Sequence, residues 1–196
     1  MAVSAETKPT TRELIRAEAL HLLEREGPEG VSMRKVAKKV GITPMAIYHH
    51  FPGRDALLVA VTDGEFERLA ECFRAALRAE GDKLENAISG YLDYALSRPR
   101  VFDFVFAQKR RGARQFPADF RARKSPTLTL LADEVGARME TGDLRRDDVW
   151  EAVLAIWALI HGLIVLYRGR RIDLSDKGFR ALCVRSLRRL VHGLEA

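Results

Sequence analysis

The chain has 196 residues, 33 basic against 27 acidic, for a formal net charge of +6, an excess that suits a polyanionic partner without demanding one. That length holds one compact domain or a small domain joined to a larger one. Two cysteines, Cys72 and Cys183, exclude a disulfide framework and a cysteine metal site; both fall in apolar helical patterns and are expected as reduced core residues.

Met1–Pro9 is short and polar and has no apolar run of the kind a signal peptide needs, so a cytoplasmic protein is expected. Thr10 or Thr11 can cap a first helix whose Leu14, Ile15, Ala19, Leu22 and Leu23 share one face, ending before Gly27-Pro28. From Ser32 to Phe51 the chain reads SMRKVAKKVGITPMAIYHHF, the signature of two short helices joined by a tight turn. Ser32 is a good N-cap, and Val36 and Val40 form an i, i+4 apolar stripe beside the small Ala37. Gly41 can end that helix in a left-handed conformation, with Ile42 filling the corner. Thr43 caps the second helix, and Pro44 occupies its first turn, where no amide hydrogen is needed. Ile47 and Phe51 dock the second helix on the first and turn Met45, Ala46 and His49 outward.

No acidic residue lies between Gly30 and Arg54, while Arg34, Lys35, Lys38, Lys39 and Arg54 supply five positive charges. A helix-turn-helix on such a surface is built to meet duplex DNA. Arg34 can reach a guanine edge from the supporting helix, and Pro44, Met45 and Ala46 offer apolar contact suited to thymine methyl groups. Thr43 opens the same helix, and His49, one turn on, can donate to a base or a phosphate.

After Pro52-Gly53 a long helix carries Leu57, Leu58, Val61, Leu69, Phe73, Ala76 and Leu77 to near Gly81, with Asp63-Gly64 a place for a bend. The domain boundary is expected in its first turns, giving residues 1–54 and 55–196. A helix over Lys83–Ser97 presents Leu84, Ile88, Tyr91, Leu92 and Ala95. Val101–Phe106 alternates like a strand but, with no partner strand, is read as a short helix. Lys109–Lys124 is a basic loop or irregular helix, and Ser125-Pro126 opens a helix carrying Leu128, Leu131, Ala132, Val135 and Met139 to Gly142. The expectation is an all-helical chain of about nine helices.

Ala152–Tyr167 is apolar almost all round. Its sixteen residues span roughly 24 Å, short of a bilayer core of ~30 Å, and His161 and Gly162 in the centre argue further against a membrane span. A helix without a polar face must be buried on both sides, one side in its own domain and the other against a second copy. The last helix, capped by Ser175, keeps Phe179, Leu182, Leu187, Leu190, Val191 and Leu194 on one stripe. Two such helices from each of two chains would close a four-helix interface around a twofold axis, with Leu159, Leu163, Leu187 and Leu190 in it; a bundle within one chain is the alternative. Among the aromatic residues nearby, Tyr91, Phe102 and Trp157, with His161, are the candidates for a ligand cavity, although each could equally be core. His161 on so apolar a helix needs a hydrogen-bond partner. No phosphate loop, HExxH, cysteine cluster or serine elbow occurs, and no catalytic residue, metal or cofactor is assigned.

Arg12-Glu13-Leu14-Ile15 to Gly27, Val31–Ala37, Gly41-Ile42-Thr43, Ile47–Phe51 and Arg54–Leu58 together resemble the tetracycline-repressor (TetR) family of bacterial transcriptional regulators, closely over about the first 60 residues. The resemblance implies a three-helix DNA-binding domain, a larger helical ligand-binding and dimerisation domain, and a homodimer that leaves its operator when a small molecule binds. It further implies that Tyr48 and Arg54, with the Ser32 hydroxyl, grip the DNA backbone; the family usually has lysine where this chain has Arg54. Trp157 with His161-Gly162 is similar to a pattern in one subgroup of such C-terminal domains. The partners so implied are a near-palindromic duplex operator, a hydrophobic or aromatic effector and a second copy of the chain, with no membrane. Two other readings are a non-specific architectural DNA-binding protein and a small helical enzyme using His161.

Overall fold

A computed structural model describes residues 9–107 and 113–193. The parts of the expectations above that fall on Lys109–Gly112 and Leu194 lie outside the described residues. Among those described, all regular structure is helical: α1 (Thr11–Glu26), α2 (Met33–Val40), α3 (Pro44–His50), α4 (Arg54–Arg78), α5 (Lys83–Ser97), α6 (Pro99–Ala107), α7 (Ala118–Arg121), α8 (Pro126–Thr141), α9 (Val149–Arg168) and α10 (Asp176–His192), with one 3-10 turn over Pro28–Gly30. The short helix α7 lies in the basic stretch, and Val101–Phe106 is helical, as read.

The helices group into two compact units. The first takes the chain through Glu65 together with Arg98 and α6; the second takes the rest of α4, α5, and everything from α7 onward. In the first unit Ile15, Ala19, Leu22 and Leu23 of α1 are buried with Val36 and Ala37 of α2, Ile47 of α3, Phe51, and Leu57 and Val61 of α4. Burying each large side chain removes enough apolar surface to contribute about 1.5–3 kcal/mol. Leu14, expected on this face, is 43% exposed. At 3.6 residues per turn it stands about 80° beyond the edge of the arc that Ile15, Ala19, Leu22 and Leu23 share. Thr10 closes a capping box with Glu13, whose carboxylate accepts from the Thr10 amide at 2.7 Å. Helix α4 runs unbroken through Asp63-Gly64.

In the second unit α5, α8, α9 and α10 pack on one another. Leu128, Leu131, Ala132, Val135 and Met139 of α8 face this core, with Ala152, Val153, Ile156, Ile160 and Ile164 of α9 and Phe179, Cys183 and Leu187 of α10. Three expectations are corrected here. Cys72 is exposed, while Cys183 is buried and its thiol is pushed up to about 11 by that burial. Leu187 is only 1% exposed within the single chain, so it belongs to the core of this unit and offers no surface to a second copy. Helix α9 has twenty residues, not sixteen, because Asp148 caps it so that it starts three positions before the apolar run, and it continues one residue past the run to Arg168. At 1.5 Å per residue it spans about 30 Å, so length does not separate it from a membrane helix. Its buried arc against α5, α8 and α10 is what marks it as part of a bundle.

Candidate nucleic-acid interface

The turn between α2 and α3 follows from short-range chemistry. Ser32 Oγ accepts from the Lys35 amide at 3.2 Å and so starts α2. Gly41 ends it at φ +79°, a conformation that a β-carbon makes costly. The amides of Gly41 and Ile42 both donate to the Ala37 carbonyl at 3.0 Å, closing the corner. Thr43 Oγ1 then accepts from the Ala46 amide at 3.1 Å, and Pro44 takes the first helical position.

Ile47 and Phe51 are buried and anchor α3. Met45 is 71% exposed and Tyr48 50%; Thr43, Pro44 and His49 are also exposed, and Ala46 is half-buried. On α2, Arg34, Lys38 and Lys39 face solvent, while Lys35 pairs with Glu26 at 2.9 Å. The helix pair thus presents a cationic, acid-free surface whose protruding tip is apolar.

Arg54 is also bonded within the protein. Its Nε donates to the Val31 carbonyl at 2.9 Å and its Nη2 to the Pro28 carbonyl at 2.5 Å, which ties the start of α4 to the segment entering α2. Arg12 has a matching role that the sequence reading missed. Its Nη1 donates to the His50 carbonyl at 2.5 Å, and its guanidinium lies 4.2 Å from the centre of the Phe51 ring. It therefore closes the C-terminal end of α3, where a cation also complements the helix dipole. A clue was available, since an arginine in the first turn of α1 opposes that helix's own dipole and so calls for a partner elsewhere.

The aromatic candidates divide between the units. In the second, Tyr91 Oη lies 2.9 Å from His161 Nδ1 and accepts from Trp157 Nε1 at 3.3 Å. Trp157 meets His161 edge-on, Phe120 packs against Trp157, and Phe73 meets Tyr91 edge-on. Burial raises the Tyr91 phenol above its ordinary value and lowers the His161 imidazole below its own, so both are held neutral. The result is an uncharged polar triad with aromatic walls. Phe102 belongs to the first unit, where it is buried and packs on Phe106 with ring centres 4.9 Å apart. Apolar character in the sequence does not reveal which unit a residue joins.

Residues 15–61 match the family model described as bacterial regulatory proteins of the tetR family, and residues 84–194 match the tetracyclin repressor-like C-terminal domain. The chain belongs to the TetR family. It is a DNA-binding transcriptional regulator, as the helix-turn-helix and its cationic face imply.

Solved structures carry the same TetR fold along nearly their whole length. A protein of unknown function from Rhodococcus sp. RHA1 is 22% identical, with a TM-score of 0.80 and all of both chains covered. The transcriptional regulator FadR from Bacillus subtilis, solved in complex with stearoyl-CoA, is 17% identical with a TM-score of 0.71, covering 93% of this chain and 98% of its own. The TetR-family regulator PfmR from Thermus thermophilus is 20% identical with a TM-score of 0.62, covering 96% and 99%.

Proposed function

We propose that this TetR-family regulator is a cytoplasmic repressor that binds a near-palindromic operator as a homodimer and releases it when a hydrophobic or aromatic effector binds. The observation that carries the DNA reading is the outward face of α2 and α3. Arg34 is exposed near the start of α2 and reads a base edge, while Pro44, Met45 and Ala46 supply apolar contacts at the tip of α3. His49, Tyr48, Thr43 and the Ser32 hydroxyl add polar contacts to bases and phosphates. Arg54 spends one Nε and one Nη2 hydrogen on carbonyls, which leaves both Nη1 hydrogens and the second Nη2 hydrogen for a phosphate contact. DNA binding is assigned to residues 1–54, and ligand binding and dimerisation to residues 55–196.

The dimer reading is supported by the side of α9 that its own unit leaves uncovered, where Val165 is 53% and Leu166 47% exposed and Leu159 and Leu163 are half-buried. Leu190 on α10 is also half-buried. The effector reading is supported by the Tyr91, Trp157 and His161 triad, a polar group bonded within itself and walled by aromatic rings. In a neighbour of the same fold, FadR from Bacillus subtilis, the ligand is stearoyl-CoA, which carries a long apolar chain. An effector shifts operator affinity only by as much as it prefers one dimer shape over another. Helix α4, which contributes residues to both units, is the element through which that preference travels.

The test is selection of duplexes from random sequence by the full-length protein, followed by footprinting. The expected result is a near-palindrome with half-sites about 34–36 Å apart, one helical turn. Salt-sensitive binding with no preferred sequence would identify an architectural DNA-binding protein instead.

A further inference from the structure

Helix α6 belongs to the first unit although α5, which precedes it in sequence, does not. Its first residues are bonded to the far end of α1. Arg98, immediately before Pro99, donates from Nε to Glu24 Oε1 at 2.6 Å, and its Nη2 reaches the same oxygen. Its Nη1 donates to Glu65 Oε2 at 2.6 Å. Arg100 Nη1 donates to the Glu24 carbonyl at 3.2 Å and also to that of Arg25, at the C-terminal turn of α1. Glu24 stands on α1 and Glu65 on α4, so a single guanidinium, at the residue before α6, ties these two helices together. Glu65 is 3% exposed and the Arg98 side chain 13%, while the Glu24 side chain keeps 36% of its surface in solvent, so the network is buried at its α4 end.

Two arginines at the start of α6 oppose that helix's dipole, so α6 by itself gains nothing from them. Buried ion pairs also contribute little net stability, because desolvation offsets attraction. What such a network supplies is a fixed geometry, since the planar fork of arginine satisfies two carboxylates only at one relative placement. The two helices it fixes are the two that hold the helix-turn-helix from behind. Helix α1 carries Arg12, bonded to the end of α3, and α4 carries Arg54, bonded to the segment entering α2.

We propose that Arg98 is a positioning residue for operator recognition: by bridging Glu24 and Glu65 it sets the angle between α1 and α4, and with it the pose of α2 and α3. The inference rests on the specific-operator reading above. It predicts an effect on sequence preference from a residue that touches no DNA.

The experiment uses full-length protein with Arg98→Lys, Arg98→Met and Arg100→Gln. The probes are a duplex selected by the wild type from random sequence and a scrambled duplex of equal composition. Lysine keeps the charge but cannot bridge two carboxylates with a planar fork. Arg98→Lys is expected to keep the wild-type melting midpoint and salt slope while its preference for the selected duplex falls at least fivefold. Arg98→Met is expected to lose preference at least as much, and Arg100→Gln less. Should Arg98→Met fail to fold, Arg98→Lys and Glu24→Gln decide by the same criteria. Preference within twofold of wild type in Arg98→Lys overturns the inference. So does an equal loss on both duplexes, which is what a smaller folded fraction would give. A wild type that selects no sequence overturns the operator reading and this inference with it, whereas a wild type that selects one while Arg98→Lys retains full preference overturns the inference alone.

Discussion

Tyr91 on α5 and His161 on α9, seventy positions apart in sequence, share a hydrogen bond of 2.9 Å between the phenol oxygen and Nδ1. Burial lowers the His161 pKa from its ordinary 6.5, so the unfolded chain takes up a proton before the folded one does. The stability contributed by the neutral ring is therefore complete above about pH 6.5 and is lost as pH falls through the lowered folded value. His161→Gln is expected to flatten the decline in urea midpoint between pH 7.5 and 5.5. An unchanged slope would mean that other groups carry it.

Charge placed on the uncovered side of α9 is expected to separate subunits without unfolding them. Val165→Glu adds a carboxylate at a position that is half open in the single chain, so helix content and melting midpoint should persist while sedimentation reports a monomer. Leu187→Asp, at 1% exposure, buries an unpaired charge and is expected to unfold the chain, at a cost of about 3–5 kcal/mol. A dimer that survives Val165→Glu moves the interface off this face.

Arg34→Ala and Arg54→Ala are expected to differ in kind. Loss of Arg34 removes a base contact worth about 1–3 kcal/mol and relaxes preference at one base pair in each half-site, with little change in stability. Loss of Arg54 frees the carbonyls of Pro28 and Val31, so the melting midpoint falls and binding to every sequence weakens together. Quantitative footprints beside melting curves separate the two. Equal and uniform losses of affinity would remove Arg34 from base reading.

Gly41→Ala tests the corner itself. No atom lies within 4 Å of the added methyl, so the penalty is that of the left-handed backbone alone, roughly 1–2 kcal/mol. Urea titration of the variant measures it. A neutral substitution would indicate that the turn relaxes to another conformation.

The α2–α3 corner was legible in the sequence because its determinants act within four residues: Ser32, Gly41 and Thr43 each cap or end a helix by bonding to a near neighbour, and Pro44 fits the first helical position because no amide hydrogen is needed there. The errors have a common physical origin. The stripe of α10 is apolar through both Leu187 and Leu190, and only packing decides that one is core while the other keeps exposed area. The start of α9 was placed late because Glu151 interrupts the apolar run, although Asp148 caps the helix by accepting from the amides of Trp150 and Glu151. Arg12 and Arg98 reach partners 38 and 74 positions away and leave no periodic trace. Phe102 joins a unit assembled from separated stretches of chain, which local pattern cannot register.

That assembly from separated stretches has a consequence for synthesis. A ribosome that has just added Glu65 has made α1 to α3 but not α6, whose Val101, Phe102, Phe104 and Val105 are buried side chains of the first unit. At ~5–20 residues per second the remaining stretch to the end of α6 takes roughly 2–8 s, during which the nascent reader of DNA has an open flank. Fragments released by premature termination before α6 would leave uncovered the apolar side chains that α6 packs against in the first unit.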